Sequence, residues 1–204
     1  MDKSILIKIE QNLKRIADSL EKNNSKSLTN KLNNKSNAFI WEADNNLLRS
    51  VKKINVIELD LLQGIDHQVN TLYENTLNFS NGFHANNALL WGAKGGGKSS
   101  LIKSIFFDIN KRNKNLKIIE INREDLETLP KLLNHIKEYN KQFIIYCDDL
   151  SFDKNDTKFK SLKSILEGGI EGKPSNVIFY ATSNIRHIIS NQISENNISS
   201  AISP

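Results

Sequence analysis

The stretch from Ala88 to Ser100, Ala-Leu-Leu-Trp-Gly-Ala-Lys-Gly-Gly-Gly-Lys-Ser-Ser, limits this chain more than any other. Gly92 to Ser99 matches G-x-x-x-x-G-K-[ST] in full. The apolar run Ala88–Trp91 ahead of it reads as a buried strand. Behind it, Leu101, Ile102, Ile105, Phe106 and Ile109 recur at helical spacing. Strand, glycine loop and helix in that order make a phosphate-binding P-loop. Such a loop must turn several backbone N–H groups onto polyphosphate oxygens at once, which needs positive φ angles and room where a Cβ would stand. The chain has 9 glycines in 204 residues, and Gly92, Gly95, Gly96 and Gly97 crowd into this one loop. The binding set is therefore Gly92, Ala93, Lys94, Gly95, Gly96, Gly97, Lys98, Ser99 and Ser100. Lys98 is expected on the β- and γ-phosphates and the Ser99 hydroxyl on Mg²⁺, with the helix N-terminus adding its dipole.

Further strands are expected at Lys117–Ile121, Gln142–Cys147 and Asn176–Thr182. Helices are expected over 65–80 (stopped by Gly82), after the P-loop to 112, from Pro130 to about Asn140, and over 157–167 behind an Asp156 cap. Alternating strands and helices predict a parallel α/β sheet with helices on both faces, its ligand site at the carboxyl ends of the strands. Residues 38–64 carry a renewed apolar pattern, starting at Phe39, Ile40 and Trp41. Residues 3–22 read as an amphipathic helix that docks on the core, a second copy or a partner. Residues 23–37 read as a polar linker. The division is an N-terminal helix and linker (1–37), a core (38–190) and a polar tail (191–204), with a short helical stretch near 185–189.

Two strand exits carry candidate chemistry. Phe143-Ile-Ile-Tyr-Cys-Asp-Asp149 has the Walker B form, an apolar strand ending in acid. Asp148 suits Mg²⁺ beside Ser99, and Asp149 suits the base or water-positioning role in attack on the γ-phosphate. Asn184, after Tyr180-Ala-Thr-Ser, either donates its amide to a phosphate oxygen or a water, or caps the next helix.

Composition narrows the remaining classes. No run approaches 18 apolar residues and no signal-peptide pattern opens the chain, so a cytoplasmic protein without a membrane span is expected. One cysteine, Cys147, excludes an intramolecular disulfide and reads as a buried thiol. His67, His84, His135 and His187 follow no metal-ligand spacing. Net charge is +5, but no segment forms a basic stripe interleaved with aromatics, so the sequence leaves nucleic acid open without supporting it.

Longer strings carry a family resemblance. Gly64-Ile-Asp-His-Gln68, Asn86 through Ser100, Cys147-Asp-Asp-Leu-Ser-Phe-Asp153, Leu166-Glu-Gly-Gly-Ile-Glu171 and Tyr180-Ala-Thr-Ser-Asn-Ile-Arg-His187 resemble a bacterial AAA+ family catalogued as a domain of unknown function. The resemblance spans roughly residues 38–190. It implies a three-layer AAA+-like P-loop fold that binds ATP rather than GTP. It also implies Asn184 as sensor 1, Gly64 and Ile65 near the adenine, and homo-oligomers through AAA+-type contacts. The expected activity is Mg²⁺-dependent ATP hydrolysis coupled to remodelling or regulating a protein partner. The second Walker B acid is here Asp149, one methylene shorter than the Glu usual in the superfamily, which implies slow turnover. No fifth strand, helical lid, sensor-2 arginine or arginine finger is recognised, which predicts the P-loop strand at a sheet edge. The rival readings are a non-catalytic nucleotide switch, a small-molecule kinase and a DNA-associated loader.

Overall fold

The computed structural model describes residues 11–15, 36–151, 162–163, 165–166 and 173–184. Outside them lie most of the helix expected over 3–22, the Asp156 cap, Arg186, His187, the stretch at 185–189 and the tail. Residues 11–15 are helical and exposed; 162–163 and 165–166 are helical as expected, with Leu162 buried.

The described strands are β1 (Ala38–Glu42), β2 (Leu47–Val51), β3 (Ala88–Trp91), β4 (Leu116–Glu120), β5 (Gln142–Cys147) and β6 (Val177–Ser183). The helices are α1 (Asp66–Ser80), α2 (Lys98–Arg112) and α3 (Leu129–Ile136), with 3-10 turns at Leu59–Leu61 and Arg123–Thr128. One sheet runs β2-β1-β4-β5-β6-β3, parallel except for the β1–β2 pair. The expected parallel sheet is present, and the β1–β2 hairpin adds one antiparallel strand at its edge. Residues 38–51 form a hairpin in which Ala38 faces Val51 and Glu42 faces Leu47. Asn46, at φ 47°, closes its turn, a conformation asparagine tolerates better than most residues.

The period of two along each strand sorts the core into two layers. Ile144 and Tyr146 of β5 and Ile178 and Tyr180 of β6 lie under α1 and α2, with Leu101, Ile102, Ile105 and Ile109 of α2. Phe143, Ile145 and Cys147, with Val177, Phe179 and Ala181, face α3 and Leu162. Burial of each α2 side chain contributes roughly 1.5–3 kcal/mol, which clamps the helix that starts at the P-loop. Polar contacts fix its neighbour: Tyr73 Oη donates to Asp108 Oδ2 at 3.0 Å, and Asn113 Nδ2 donates to the Ser80 carbonyl at 2.6 Å.

The expectation that Ala88–Trp91 is a buried strand is corrected. Among the described residues β3 pairs only with β6, and Leu89 and Trp91 are 40% and 51% exposed. Ala88 and Leu90 pack towards α1 and α2, while Leu89 and Trp91 are on the alternate face of the strand. The predicted edge position of this strand is the reason.

Candidate functional site

The carboxyl ends of β3, β5 and β6 meet at the start of α2. Gly92 N–H donates to the Ser183 carbonyl at 3.2 Å, so the glycine loop leaves β3 anchored on β6. The loop then turns through Gly95 at φ +83° and Gly97 at φ +75°. A Cβ at Gly95 would meet nothing within 4 Å, so the space above the loop is open. Gly97 is the N-cap of α2 and supplies no side chain to its first turn. The first intrahelical bond is Leu101 N–H to the Gly97 carbonyl at 2.8 Å, which leaves the Lys98, Ser99 and Ser100 N–H groups for an anion.

Two hydrogen-bond chains cross this opening. In the first, Ser99 Oγ donates to Asp148 Oδ1 at 2.6 Å and Thr182 Oγ1 donates to the same oxygen at 2.5 Å. Strand alternation explains the meeting, since Asp148 continues the Ile144–Tyr146 face of β5 towards α2. Burial alone would raise the Asp148 carboxyl. Hydrogen bonds from Ser99 and Thr182, with the nearby Tyr146 hydroxyl and the charge of Lys103, outweigh that and hold it below its usual range. The ionised carboxylate and a hydroxyl whose lone pairs stay free are hard oxygen donors of the kind Mg²⁺ takes alongside phosphates and water. Among the described residues no three His, Cys, Asp or Glu side chains gather into a self-sufficient metal cage.

In the second chain, Lys98 Nζ donates to the carbonyls of Gly92 and Ala93 at 2.9 and 2.8 Å and to Asn184 Oδ1 at 3.1 Å. Asn184 Nδ2 in turn donates to Asp149 Oδ1 at 2.6 Å. The amide therefore links the loop lysine to the second acid. Among the described residues the partners of Lys98 are neutral, a cation held ready for an anionic one. Asp149 sits at φ +50°, a left-handed conformation costing an L-residue about 1 kcal/mol or more, and its N–H is held by Thr182 Oγ1 at 2.9 Å.

The structure thus brings Lys98, Ser99, Asp148, Asp149 and Asn184 together. Gly64 and Ile65 stand apart from this group. Gly64 is exposed at φ +77° with no neighbour within 4 Å of a Cβ position, and Ile65 packs against the α1–α2 core layer. Leu62 of the same segment reaches the loop, its Cδ2 3.7 Å from where a Cβ on Gly97 would stand. Sequence reasoning passed over Leu62, Thr182 and Tyr146. The signal for Thr182 was its place two residues before Asn184, on the same strand face. Tyr146, fully buried two residues before Asp148, comes up beneath the Ser99–Asp148 pair without an aligned hydrogen bond to either, and Lys103 Nζ lies 5.4 Å from its ring centre. Cys147 points to the other face, where burial first and the Asp148 charge next push its thiol up to about 12, as expected of an unreactive core thiol.

A polar cleft of about 300 Å³, lined by Glu120, Asn122, Arg123, Glu124, Asp148 and Asp149, opens beside the two aspartates. A roomier groove of about 540 Å³ follows the outer side of β3 and α1 and touches neither Lys98 nor the aspartates. The chemistry of Lys98 and the acids, rather than volume, marks the site.

A family described as "Protein of unknown function (DUF815)" matches residues 34–204. No curated protein matches the chain. Among solved structures, the Aeropyrum pernix Orc1 protein in complex with DNA is 16% identical with a TM-score of 0.50, over 65% of this chain and 42% of that one. Caenorhabditis elegans PCH-2 is 16% identical at a TM-score of 0.44, over 69% and 42%. The Thermotoga maritima RuvB Holliday junction branch migration motor is also 16% identical at 0.44, over 68% and 44%. The chain spans less than half the length of each. At such identities the likeness is one of fold alone, a sheet of mostly parallel strands with helices around it.

Proposed function

The chain belongs to the DUF815 family, and on that footing we propose that residues 38–190 form an AAA+-type core that binds ATP with Mg²⁺ and hydrolyses it slowly. The observation that carries this reading is the pair of chains Ser99–Asp148–Thr182 and Lys98–Asn184–Asp149, which meet at the mouth of the glycine loop. Ser99 Oγ and Asp148 would hold Mg²⁺, which supplies charge neutralisation on the β- and γ-phosphate oxygens. The N–H groups of the loop and of the first turn of α2 bind the phosphates. Lys98 exchanges its loop carbonyls for β- and γ-phosphate oxygens. Asn184, released at its Oδ1, turns an N–H to the γ-phosphate or to the attacking water.

Asp149 orients that water and accepts its proton at a carboxylate oxygen as the new O–P bond forms and the opposite bond from the γ-phosphorus to the ADP oxygen breaks, ADP leaving with that electron pair. Catalysis here is mainly positioning and charge stabilisation. Slow turnover has two supports in this chain: Asp149 is short for a Walker B base, and it is already engaged by Asn184. Leu62, whose side chain reaches the glycine loop, is proposed to meet the adenine together with Gly64 and Ile65. Coupling to a protein partner, assembly with further copies and a cytoplasmic setting complete the reading. No described helix is long and apolar enough to cross a membrane.

Single-turnover hydrolysis of MgATP by the wild type and Asp149→Asn tests it. The variant is expected to bind ATP as tightly and to cleave it at least about 100-fold more slowly, the usual scale for losing a general base. Equal cleavage rates would contradict the role of Asp149, and transfer of the γ-phosphate to a metabolite instead of water would replace the ATPase by a kinase.

A further inference from the structure

The loops that enter the sheet lie opposite the glycine loop, and the fold gathers there cations that the sequence scatters. Val51 pairs with Ala38, so β2 leaves the sheet at this end and delivers exposed Lys52 and Lys53. α2 ends at Arg112 and passes through exposed Lys114 into β4. Lys141 stands directly before β5, its Nζ donating to Asn115 Oδ1 at 2.7 Å. Among the described residues Arg112, Lys114 and Lys141 form no salt bridge, while Lys111 pairs with Asp108 at 3.4 Å. Glu138 is the exposed carboxylate of the loop before β5. The acids collect at the other end of the sheet, where Glu42, Glu120, Glu124, Asp148 and Asp149 lie.

Lys117 reports the potential at the entry end from inside. It is 2% exposed, and its Nζ donates only to neutral acceptors, the Ser36 carbonyl at 2.9 Å and Asn37 Oδ1 at 2.6 Å. Burial lowers its pKa, and the charges of Lys141 and Lys114 lower it further. An aromatic ring completes the surface. Phe83 is 67% exposed just after α1. Ser80 beside it accepts a hydrogen bond from Asn113, next to Arg112, and a Cβ on Gly82 would lie 3.8 Å from Gln142 Nε2, next to Lys141. The segment Ser80–Gly82 that leads to Phe83 is thus held next to the residues flanking Arg112, Lys114 and Lys141.

We propose that this end of the sheet binds single-stranded nucleic acid, with phosphates on Arg112, Lys114 and Lys141 and an unpaired base stacked on Phe83. A ring flanked by cations is the minimal unit for holding a single strand without sequence preference. A duplex would keep its bases from the ring, and a lipid surface would call for an apolar patch beside the cations rather than one aromatic. The surface is separate from the ATP site and does not depend on that assignment.

The test is anisotropy of a fluorescein-labelled oligothymidylate of about 20 nucleotides, titrated with the full chain. With three phosphates engaged, affinity is expected to fall about 20-fold between 50 and 200 mM salt. Lys114→Gln and Lys141→Gln should each lower the log–log salt slope by about 0.7. Phe83→Leu, which keeps an apolar side chain but removes the π face, should weaken binding about 5- to 100-fold. The circular-dichroism melting curve should be unchanged in all three, which distinguishes loss of the surface from loss of the fold. No binding at 50 mM salt, binding indifferent to these substitutions, or tighter binding of anionic vesicles or polyglutamate than of the oligonucleotide would each overturn the proposal.

Discussion

Replacing Thr182 by valine removes one hydroxyl and leaves the strand's shape intact. That hydroxyl donates to Asp148 Oδ1 at 2.5 Å and accepts from Asp149 N–H at 2.9 Å, and the residue is 2% exposed. The orphaned Asp149 N–H costs about 1–3 kcal/mol. The lost bond to the carboxylate costs about 1 kcal/mol, below the usual figure for a charged acceptor because Asp148 is open to water that replaces part of it. A total of about 2–4 kcal/mol lowers Tm by roughly 5–15 °C in a chain of this length.

The pH dependence has a definite sign. The Asp148 carboxyl is held below its usual range, so its contribution is present above its unfolded pKa and lost as pH falls through its folded one. The variant raises the folded value towards the unfolded one, so the Tm gap between wild type and Thr182→Val should narrow in acid. Thermal unfolding followed by circular dichroism at pH 7, and again below the carboxylate range, measures both effects, with Thr182→Ser as the variant that keeps the hydroxyl. A Tm within about 2 °C of wild type, or a gap that widens in acid, would refute the account of Thr182.

Three further perturbations probe other parts of the molecule. The buried Tyr146 hydroxyl has no hydrogen-bond partner, so Tyr146→Phe should leave the urea midpoint unchanged or raise stability by up to about 1 kcal/mol, and a loss above that would reveal a bond this geometry lacks. The folded pKa of Lys117 is lowered, so this group adds stability as pH rises from its folded towards its unfolded value; Lys117→Met should remove that alkaline rise, measured as urea stability against pH, and an unchanged rise would contradict it. Leu89 is 40% exposed on the outer strand β3, and Leu89→Lys should reduce concentration-dependent light scattering if that edge mediates self-association; scattering equal to wild type would show that it does not.

How far the sequence could be read depended on whether a feature is local. The P-loop, the Gln142–Cys147 strand and its acids announce themselves because spacing and apolarity along a few residues are their whole signal. The hairpin at 38–51 escaped because its two strands merged with the apolar residues that follow into one pattern. The sign was present in Asp44-Asn45-Asn46, where Asn46 takes the left-handed turn position. Thr182 reads in sequence as one more β-branched strand residue, and its two bonds arise only from the parallel register that sets Ala181 beside Cys147. Leu62 likewise gains meaning when its segment folds back on Gly97. The cations of the entry end are spread over segments that pair only in the sheet, so no linear count reveals them.

The most direct test of the central claim is calorimetric titration of ATP into the wild type and Lys98→Ala, each with and without Mg²⁺. The account predicts binding by the wild type that tightens with Mg²⁺, and loss of at least about 2 kcal/mol, some 30-fold in Kd, in Lys98→Ala, whose removed ammonium would otherwise meet phosphate. Wild-type affinity in Lys98→Ala, or ATP binding indifferent to Mg²⁺, would contradict it.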